Sequence, residues 1–323
     1  IAILLPDSGP YAVAANAIKQ GIIAAHFNAK SSAKLHFFAT ETDSQSGQSN
    51  VWQQYQKAID VNASLVIGPL DKTSVQILAD AEELTIPVIA LNRITPIVQV
   101  ANLFQFGLAP EDDAVAVANY ASAQDYHRAV VLAPTGDWGN RIASAFNEQW
   151  LENGGTLLNH STYDASKSDF SAVIKPLLSI EASKERQQSL KRTLGVSVEF
   201  EPRRRQDIDF LFLVAKPLKA RQLIPQLKFH RSGNLAVIAT SHAYSGKENR
   251  QQDVDLNGLI INDIPWSFDD TAATDPAYLS LKDSKPKHFN NFIRLYALGA
   301  DAYRLIPNLN SLSRATDLTI TGA

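Results

Sequence analysis

The chain has 323 residues, of which 45% are hydrophobic and 20% charged, and a formal net charge of −3. This length suggests about two domains, and the composition is typical of a globular protein, which excludes a disordered, collagen-like or disulfide-rich chain. The slightly acidic balance gives no global positive field that would hold phosphate backbones, so the sequence predicts no nucleic-acid partner.

Short apolar runs alternate with longer segments of helical period from the first residue onward. This alternation predicts an α/β fold in which helices cover both faces of a parallel sheet. In the first hundred residues, strands are predicted at 1–5, 35–39, 65–67 and 87–91, and helices at 12–28, 48–61 and 73–84.

The same alternation restarts after residue 108. Phe104–Leu108 predicts a strand, and Pro110 with the acids that follow it suits the first turn of a helix. The opening of this second series, Val131–Asp137, has the same order of strand, proline and polar loop as Ile3–Gly9. The fold predicted from these patterns is therefore two similar doubly wound lobes. The strands of the second series are predicted at 129–132, 156–162, 210–214 and 235–239, and its helices at 141–152, 169–178 and 218–229.

The last part of the chain does not simply extend the second lobe, which predicts that it crosses back to the first. In open α/β sheets the loops that follow the strands usually carry the site. We therefore expect these loops of the two lobes to face each other across a central cleft. The predicted divisions are 1–108 with 256–323 for lobe one, 109–255 for lobe two, and crossovers near 102–112 and 241–256.

Residues 184–205 stand out as a basic insertion in lobe two, with seven basic residues against three acids. This composition predicts a mobile, solvated excursion. Its basic triplet has two interpretations: it pairs with an acidic protein surface, or it keeps a loop hydrated. The candidate partner contacts are Arg203, Arg204 and Arg205.

Several motifs resemble known families. Ile67–Pro69 and Glu83–Ala90 are similar to the first lobe of the type I periplasmic-binding-protein fold. Leu108–Ala114, Asp263–Pro265 and, above all, Arg294–Tyr303 resemble the C-terminal domain of the LpoA family, outer-membrane lipoproteins that activate a class A penicillin-binding protein. The resemblance extends along the whole chain and thins at the basic insertion.

That resemblance implies a non-catalytic periplasmic module that binds and stimulates a peptidoglycan synthase of the class A penicillin-binding-protein type. It also implies a lipidated cysteine and a helical-repeat domain upstream, so that the protein meets the outer membrane only through that anchor. The strand-like start at Ile1 is consistent with a processed piece. A rival interpretation is a solute receptor that closes on an amino acid, a peptide or a wall fragment.

Enzyme signatures are mostly absent from the sequence. It has no glycine-rich phosphate loop, no serine elbow, no cysteine, and no pair among its seven histidines at zinc-binding spacing. The sequence therefore predicts no catalytic residue, no metal and no cofactor. An enzyme acting in the cleft through Asp137 and His242 is kept as a further rival.

Two loops in lobe one could bind an anion or merely cap a helix. Ser8 and Gly9 precede the first helix and offer a hydroxyl and backbone amides to a carboxylate or other anion. Gly68 opens a similar loop, in which Thr73 or Asp71 would be the helix cap.

A second group of candidates follows the ends of predicted strands. Aromatic, hydroxyl and amide groups suit a polar ligand such as a sugar or peptide fragment, although each residue taken singly also fits an ordinary loop role. These candidates are Asn92, Asp137, Trp138, Ser241, His242 and Tyr244.

The Arg294–Tyr303 motif has its own two interpretations. Tyr296, Ala300 and Tyr303 recur at helical spacing, which is typical of a buried helix face. On the buried-face interpretation, the motif is typical of the family because it packs the core of the lobe. The partner then binds elsewhere.

Overall fold

The structure is a computed structural model, and its elements alternate as the sequence predicts. It describes residues 1–43, 46, 48–95, 99–194, 203–267, 272–284, 289–312 and 322. None of the helices within these ranges is long and apolar enough to cross a membrane. The principal helices and strands, in chain order, are β1 (Ala2–Leu5), α1 (Ala12–Asn28), β2 (His36–Ala39), α2 (Val51–Asp60), β3 (Val66–Ile67), α3 (Lys72–Ala79), β4 (Val88–Ala90), β5 (Leu103–Gln105), α4 (Pro110–Ala123), β6 (Arg128–Pro134), α5 (Asp137–Glu152), β7 (Thr156–Tyr163), α6 (Ser171–Leu177), α7 (Ile180–Leu194), β8 (Phe210–Leu213), α8 (Pro217–Leu227), β9 (Ala236–Ala239), α9 (Arg250–Asp253), β10 (Leu259–Ile261), α10 (Pro276–Ser284), α11 (Phe289–Arg304) and α12 (Leu309–Leu312).

The chain divides into two compact units. Unit 1 comprises Ile1–Ala109 and Ile264–Ala323, and unit 2 comprises Pro110–Asp263. The first division lies one residue after the expected one. The return to unit 1 falls later than residue 256, because β10 pairs in parallel with β9 and so belongs to the sheet of unit 2.

Each unit is built around a five-stranded parallel sheet. The strand order is β2-β1-β3-β4-β5 in unit 1 and β10-β9-β8-β6-β7 in unit 2. The central strands are buried on both faces, as the unbroken apolar sequences of β1 and β8 require. This confirms the predicted α/β class with two parallel sheets.

Helices α1 and α11 hold unit 1 together through a close approach of their backbones. A Cβ atom on Gly21 would lie 2.0 Å from the Tyr296 carbonyl oxygen, and one on Gly299 would lie 2.0 Å from the Ile18 carbonyl oxygen. Only glycine leaves room for this packing. The last long helix therefore returns to the first, although the chain between them builds all of unit 2.

The Arg294–Tyr303 motif lies on α11 and packs into this core. Tyr296, Ala300 and Tyr303 are all buried, and they belong to the cluster that covers one face of the first sheet. The core interpretation of the motif is thereby confirmed.

Unit 2 has a core of stacked aromatic rings on the α4/α5 side of its sheet. The Phe146 and Phe212 rings lie 4.2 Å apart between centroids, and Trp150 meets Phe210 edge to face at 5.2 Å. These contacts fix α5 on the sheet and so fix the residues at the start of α5.

The basic insertion differs from the expected mobile excursion. Residues 184–194 are part of α7, and the sequence there is rich in Glu, Arg, Gln, Lys and Leu, which favour helix. Residues 195–202 lie outside the described part of the chain, so the excursion predicted there stays a prediction.

Candidate functional site

The loop at the end of β1 leaves Ser8 and Gly9 exposed at the surface of unit 1. Gly9 has a positive φ of 74°. The N-cap of α1 is Tyr11, which makes no side-chain capping bond. Ser8 is therefore not the cap of this helix, and the anion-binding alternative for this loop stays a prediction.

The loop after β3 is closed by its own hydrogen bonds. Asp71 is the N-cap of α3 and accepts from the Ser74 backbone N–H at 2.9 Å, which decides between the two predicted caps. Thr73 is exposed. The buried Ser74 hydroxyl lies 3.1 Å from Thr42 Oγ1 and 2.8 Å from Ser49 Oγ, which ties the loop after β2 to α3.

Gly68 and Asn92 also stabilise the loops at the edge of unit 1 where its strands end. Gly68 has φ of 107°, and a Cβ there would lie 2.0 Å from the Leu4 carbonyl oxygen. The Asn92 side chain donates to the Leu70 carbonyl at 2.9 Å and accepts from the Arg93 backbone N–H at 2.9 Å. The nitrogen and the oxygen of the Asn92 side-chain amide thus both form hydrogen bonds within the loop, as an ordinary loop role requires.

In unit 2, the ends of β6 and β9 bring several candidates together. Ser241 Oγ donates to Asp113 Oδ2 at 2.5 Å, and Asp113 lies in the first turn of α4. His242 Nδ1 lies 3.6 Å from the same carboxylate oxygen, and the His242 ring meets Trp138 edge to face at 5.8 Å. Lys216 Nζ lies 5.7 Å from the centroid of the Trp138 ring. We name Asp113, Trp138, Lys216, Ser241 and His242 the β9-edge cluster.

Some side chains of the β9-edge cluster remain accessible to solvent. Trp138 and His242 are half-buried and Lys216 is exposed. His242 Nδ1 is buried and makes no hydrogen bond within the described residues. This edge can therefore offer a cation and an aromatic face to a ligand, whereas His242 Nδ1 is enclosed by the protein beside Asp113.

Two further candidates do not join this cluster. Asp137 is exposed at the first position of α5, where a carboxylate stabilises the helix N-terminus. The Tyr244 hydroxyl lies 3.5 Å from Asp253 Oδ2. Burial, with the nearby Asp253 charge, raises the pKa of Tyr244, so the phenol keeps its proton.

Sequence reasoning missed Asp113 and Lys216 as members of the cluster. Lys216 follows β8 just as Ser241 follows β9, so a list of the polar residues after every strand would have found it. Asp113 was recognised only as a helix-start residue, because its contact with Ser241 joins positions far apart in the chain.

Comparison with known proteins identifies the family. A family model described as "LppC putative lipoprotein" matches residues 1–323, the whole chain. The chain belongs to this family. The "Penicillin-binding protein activator LpoA" of Vibrio antiquarius is 28% identical over 330 residues, which cover 99% of this chain and 53% of that protein. The chain thus spans about half the length of the curated relatives it matches.

Solved structures agree with the LppC assignment and confirm the predicted resemblance. The "LpoA (YraM) C-domain from Haemophilus influenzae, a regulator of PBP1A" has a TM-score of 0.72 and 25% identity, covering 99% of this chain and 89% of that chain. A "putative branched-chain amino acid ABC transporter" from Chromobacterium violaceum has a TM-score of 0.68 and 23% identity, covering 99% of this chain and 91% of that one. The second match shows the fold alone, which is that of periplasmic binding proteins.

In this member of the LppC family, the predicted partner-contact arginines are partly internal. Arg204 is only 7% exposed and donates to the Arg205 carbonyl at 2.8 Å. Burial lowers the pKa of its guanidinium. Arg205 forms a two-point ion pair with Asp207 at 2.7 and 2.6 Å, so its charge is offset. Of the three arginines, only Arg203 is exposed, and its contact with a protein partner stays a prediction.

The serine, histidine and aspartate of the β9-edge cluster are not arranged as a catalytic triad. In a triad the histidine lies between the serine and the carboxylate and takes the serine proton. Here Ser241 Oγ donates directly to Asp113, and Ser241 is buried. No group of three potential ligands that could hold a metal occurs among the residues with described positions.

Proposed function

We propose that this chain is a non-catalytic regulatory module that binds and stimulates a class A penicillin-binding protein, a peptidoglycan synthase, and so supports cell-wall cross-linking. The observation that carries this proposal is the family match over the full chain, together with relatives that are named as an activator and as a regulator of such enzymes. The serine-to-carboxylate geometry of the β9-edge cluster supports the non-catalytic part, since it lacks the serine–histidine–carboxylate order of a catalytic triad.

The site of action in this proposal is the periplasm. The description of the family as "LppC putative lipoprotein" supports this location. The module would reach the outer membrane through a lipid anchor carried elsewhere in the protein. No cofactor enters the proposed mechanism.

The mechanism is differential binding. The module stimulates the synthase only if it binds the active arrangement more tightly than the inactive one, and the shift cannot exceed that difference in affinity. About 1.4 kcal/mol of preference gives a tenfold change in the ratio of the two states.

The decisive experiment combines binding and activity with the full-length lipoprotein. The synthase should be retained by the immobilised lipoprotein, and its cross-linking rate should rise with lipoprotein concentration. An Asp137→Ala, His242→Ala variant should stimulate as well as the wild type, because neither residue is proposed to do chemistry. Absence of both binding and stimulation by the wild-type protein would refute the proposal.

A second candidate function, solute binding, is favoured by the β9-edge cluster. Its exposed Lys216 and its half-buried Trp138 ring suit a small polar ligand such as an amino acid, a peptide or a wall fragment. A ligand at a hundred times its Kd should stabilise the protein by about 2.7 kcal/mol in a thermal-shift screen. The shift should vanish in Trp138→Ala, and a screen without hits would count against this function.

A further inference from the structure

Helix α8 in unit 2 has one buried face and one exposed apolar face. Ala220, Leu223, Ile224 and Leu227 are buried against the sheet. On the other side, Leu218 is 63% exposed and Phe229, in the turn after the helix, is 79% exposed. Pro225, seven residues after Leu218 and four before Phe229, is also exposed. Spacings of seven and eleven residues are about two and three helical turns, so these side chains follow one line along the surface.

This exposed face continues onto the neighbouring segment of the chain. Arg221 Nη2 binds Asp253 Oδ1 at 2.9 Å, which fixes the end of α9 beside α8. Val254 follows directly and is 60% exposed. We name the surface formed by Leu218, Pro225, Phe229 and Val254 the α8 face. Large exposed apolar side chains gathered in this way are typical of a contact surface for another macromolecule.

The stretch of chain that carries Leu218, Pro225 and Phe229 is basic, while Val254 lies between Asp253, which pairs with Arg221, and Asp255. Residues 216–231 contain five basic residues and no acid, and no acid occurs anywhere from residue 210 to residue 247. The Lys228 ammonium donates to the Asn257 carbonyl at 2.6 Å, which positions it without cancelling its charge. A basic border around an apolar stripe is complementary to an acidic border around an apolar patch.

We propose that the α8 face is the surface through which this module binds its synthase, and that the matching patch on the synthase is apolar with a rim of carboxylates. This inference rests on the proposed function, because the relatives are named as activators of a protein partner. Phe229 and Leu218 are the anchors, since large side chains near the centre of an interface carry most of the binding free energy. The basic residues speed the encounter and fix its orientation.

The α8 face is better placed for partner contact than the arginine triplet. Arg204 is buried and the Arg205 charge is offset by Asp207, whereas Leu218 and Phe229 on the α8 face are exposed. A sequence signal for this surface existed in the acid-free stretch from 210 to 247.

The chain offers closely matched controls for a test. Phe27 is 74% exposed and lies next to His26, just as Phe229 lies next to His230. Leu151 is 54% exposed on α5. The Leu218→Ala, Phe229→Ala double variant of the full-length lipoprotein is therefore compared with Leu151→Ala, Phe27→Ala. Both doubles should melt within a few degrees of the wild type, because each removes only exposed side chains.

Binding of the synthase is measured at several salt concentrations. The α8 double variant should bind at least tenfold more weakly, and its stimulation of cross-linking at subsaturating concentration should fall in parallel, while the control double stays within twofold of the wild type. Lys228→Glu should slow association severalfold and weaken the salt dependence, whereas Lys57→Glu on α2 should change neither.

The possible failures are distinguishable. If wild-type lipoprotein neither binds nor stimulates the synthase, the proposed function fails. If the wild type binds and the α8 double variant binds within twofold of it, only the α8 inference is overturned. Vesicles containing anionic lipid test the other class of partner: if the α8 substitutions abolish vesicle binding and leave synthase affinity unchanged, the face binds membrane and the inference is again overturned.

Discussion

The two units repeat one architecture, but the edges where their strands end are used differently. In unit 1, the side chains of Asp71, Ser74 and Asn92 form hydrogen bonds with neighbouring parts of the chain. In unit 2, Trp138 and His242 remain half-buried, and a buried imidazole nitrogen has no bond within the described residues. Polar residues after strand ends are therefore a general property of this topology, whereas their availability to a ligand depends on what already binds them.

The strongest test of this comparison uses two glycines, each in the loop that follows a parallel strand of its unit. Gly68 follows β3 and Gly136 follows β6, and both have φ above 100°. A Cβ at Gly68 would also lie 2.0 Å from the Leu4 carbonyl oxygen, whereas a Cβ at Gly136 would have nothing within 4 Å. Gly136→Ala should cost about 1–3 kcal/mol of unfolding free energy through backbone strain. Gly68→Ala should cost more than about 4 kcal/mol, because the clash with backbone is added.

Urea denaturation of the two glycine variants gives the measurement. If Gly68→Ala is too unstable to purify, limited proteolysis of the freshly expressed protein replaces it and should show rapid cleavage of this variant only. Equal losses for the two substitutions would mean that the unit 1 edge is no more tightly built than the unit 2 edge, and the comparison would fail.

A smaller effect is expected from the acids at the two helix starts. Asp71 is buried and caps α3, so Asp71→Ala should cost about 1–2 kcal/mol. Asp137 is exposed at the start of α5, where its interaction with the helix dipole is worth about 0.3–0.5 kcal/mol. Thermal unfolding of both variants checks the difference, and an Asp137→Ala loss as large as that of Asp71→Ala would contradict it.

Much of this fold could be predicted from local patterns. The alternation of apolar runs and helical periods located β1, α1 and the restart after residue 108 nearly to the residue. The join of β10 to the second sheet could not be predicted this way. Three apolar residues form a strand in either unit equally well, and only the pairing with β9 decides the sheet.

The candidate site was predicted less well because burial and partners depend on tertiary contacts. Trp138, Ser241 and His242 do come together, since the carboxyl ends of neighbouring strands meet at one edge. The basic triplet shows the limit. Charged side chains are usually exposed. Arg204 is nevertheless buried, and its contacts with Arg205 and Asn234 cannot be predicted from its sequence neighbours.

The smallest expected effect concerns the ion pair that holds the arginine triplet of unit 2. The hydrogen bonds from Arg205 lower the pKa of Asp207 to about 2, despite the opposing effect of partial burial. Because the folded pKa lies below the unfolded one, this stabilisation is present above about pH 4 and is lost as the pH falls towards 2. The Asp207 side chain is 42% exposed, so solvent screening limits its contribution to less than about 1 kcal/mol.

Asp207→Asn should therefore reduce the unfolding free energy by less than about 1 kcal/mol at pH 7, and by still less at pH 3, because the wild type itself approaches protonation there. Urea curves at the two pH values measure this. The control is Asp125→Asn, whose carboxylate is 95% exposed and should have no effect at either pH. A loss at pH 7 well above 1 kcal/mol, as for the buried Asp71, would mean that the loops of unit 2 are as tightly bonded as those of unit 1. The loop that carries the triplet would then resemble the unit 1 edge, where side chains are bonded to neighbouring loops. Within unit 2, polar groups free to bind a ligand would be limited to the β9-edge cluster.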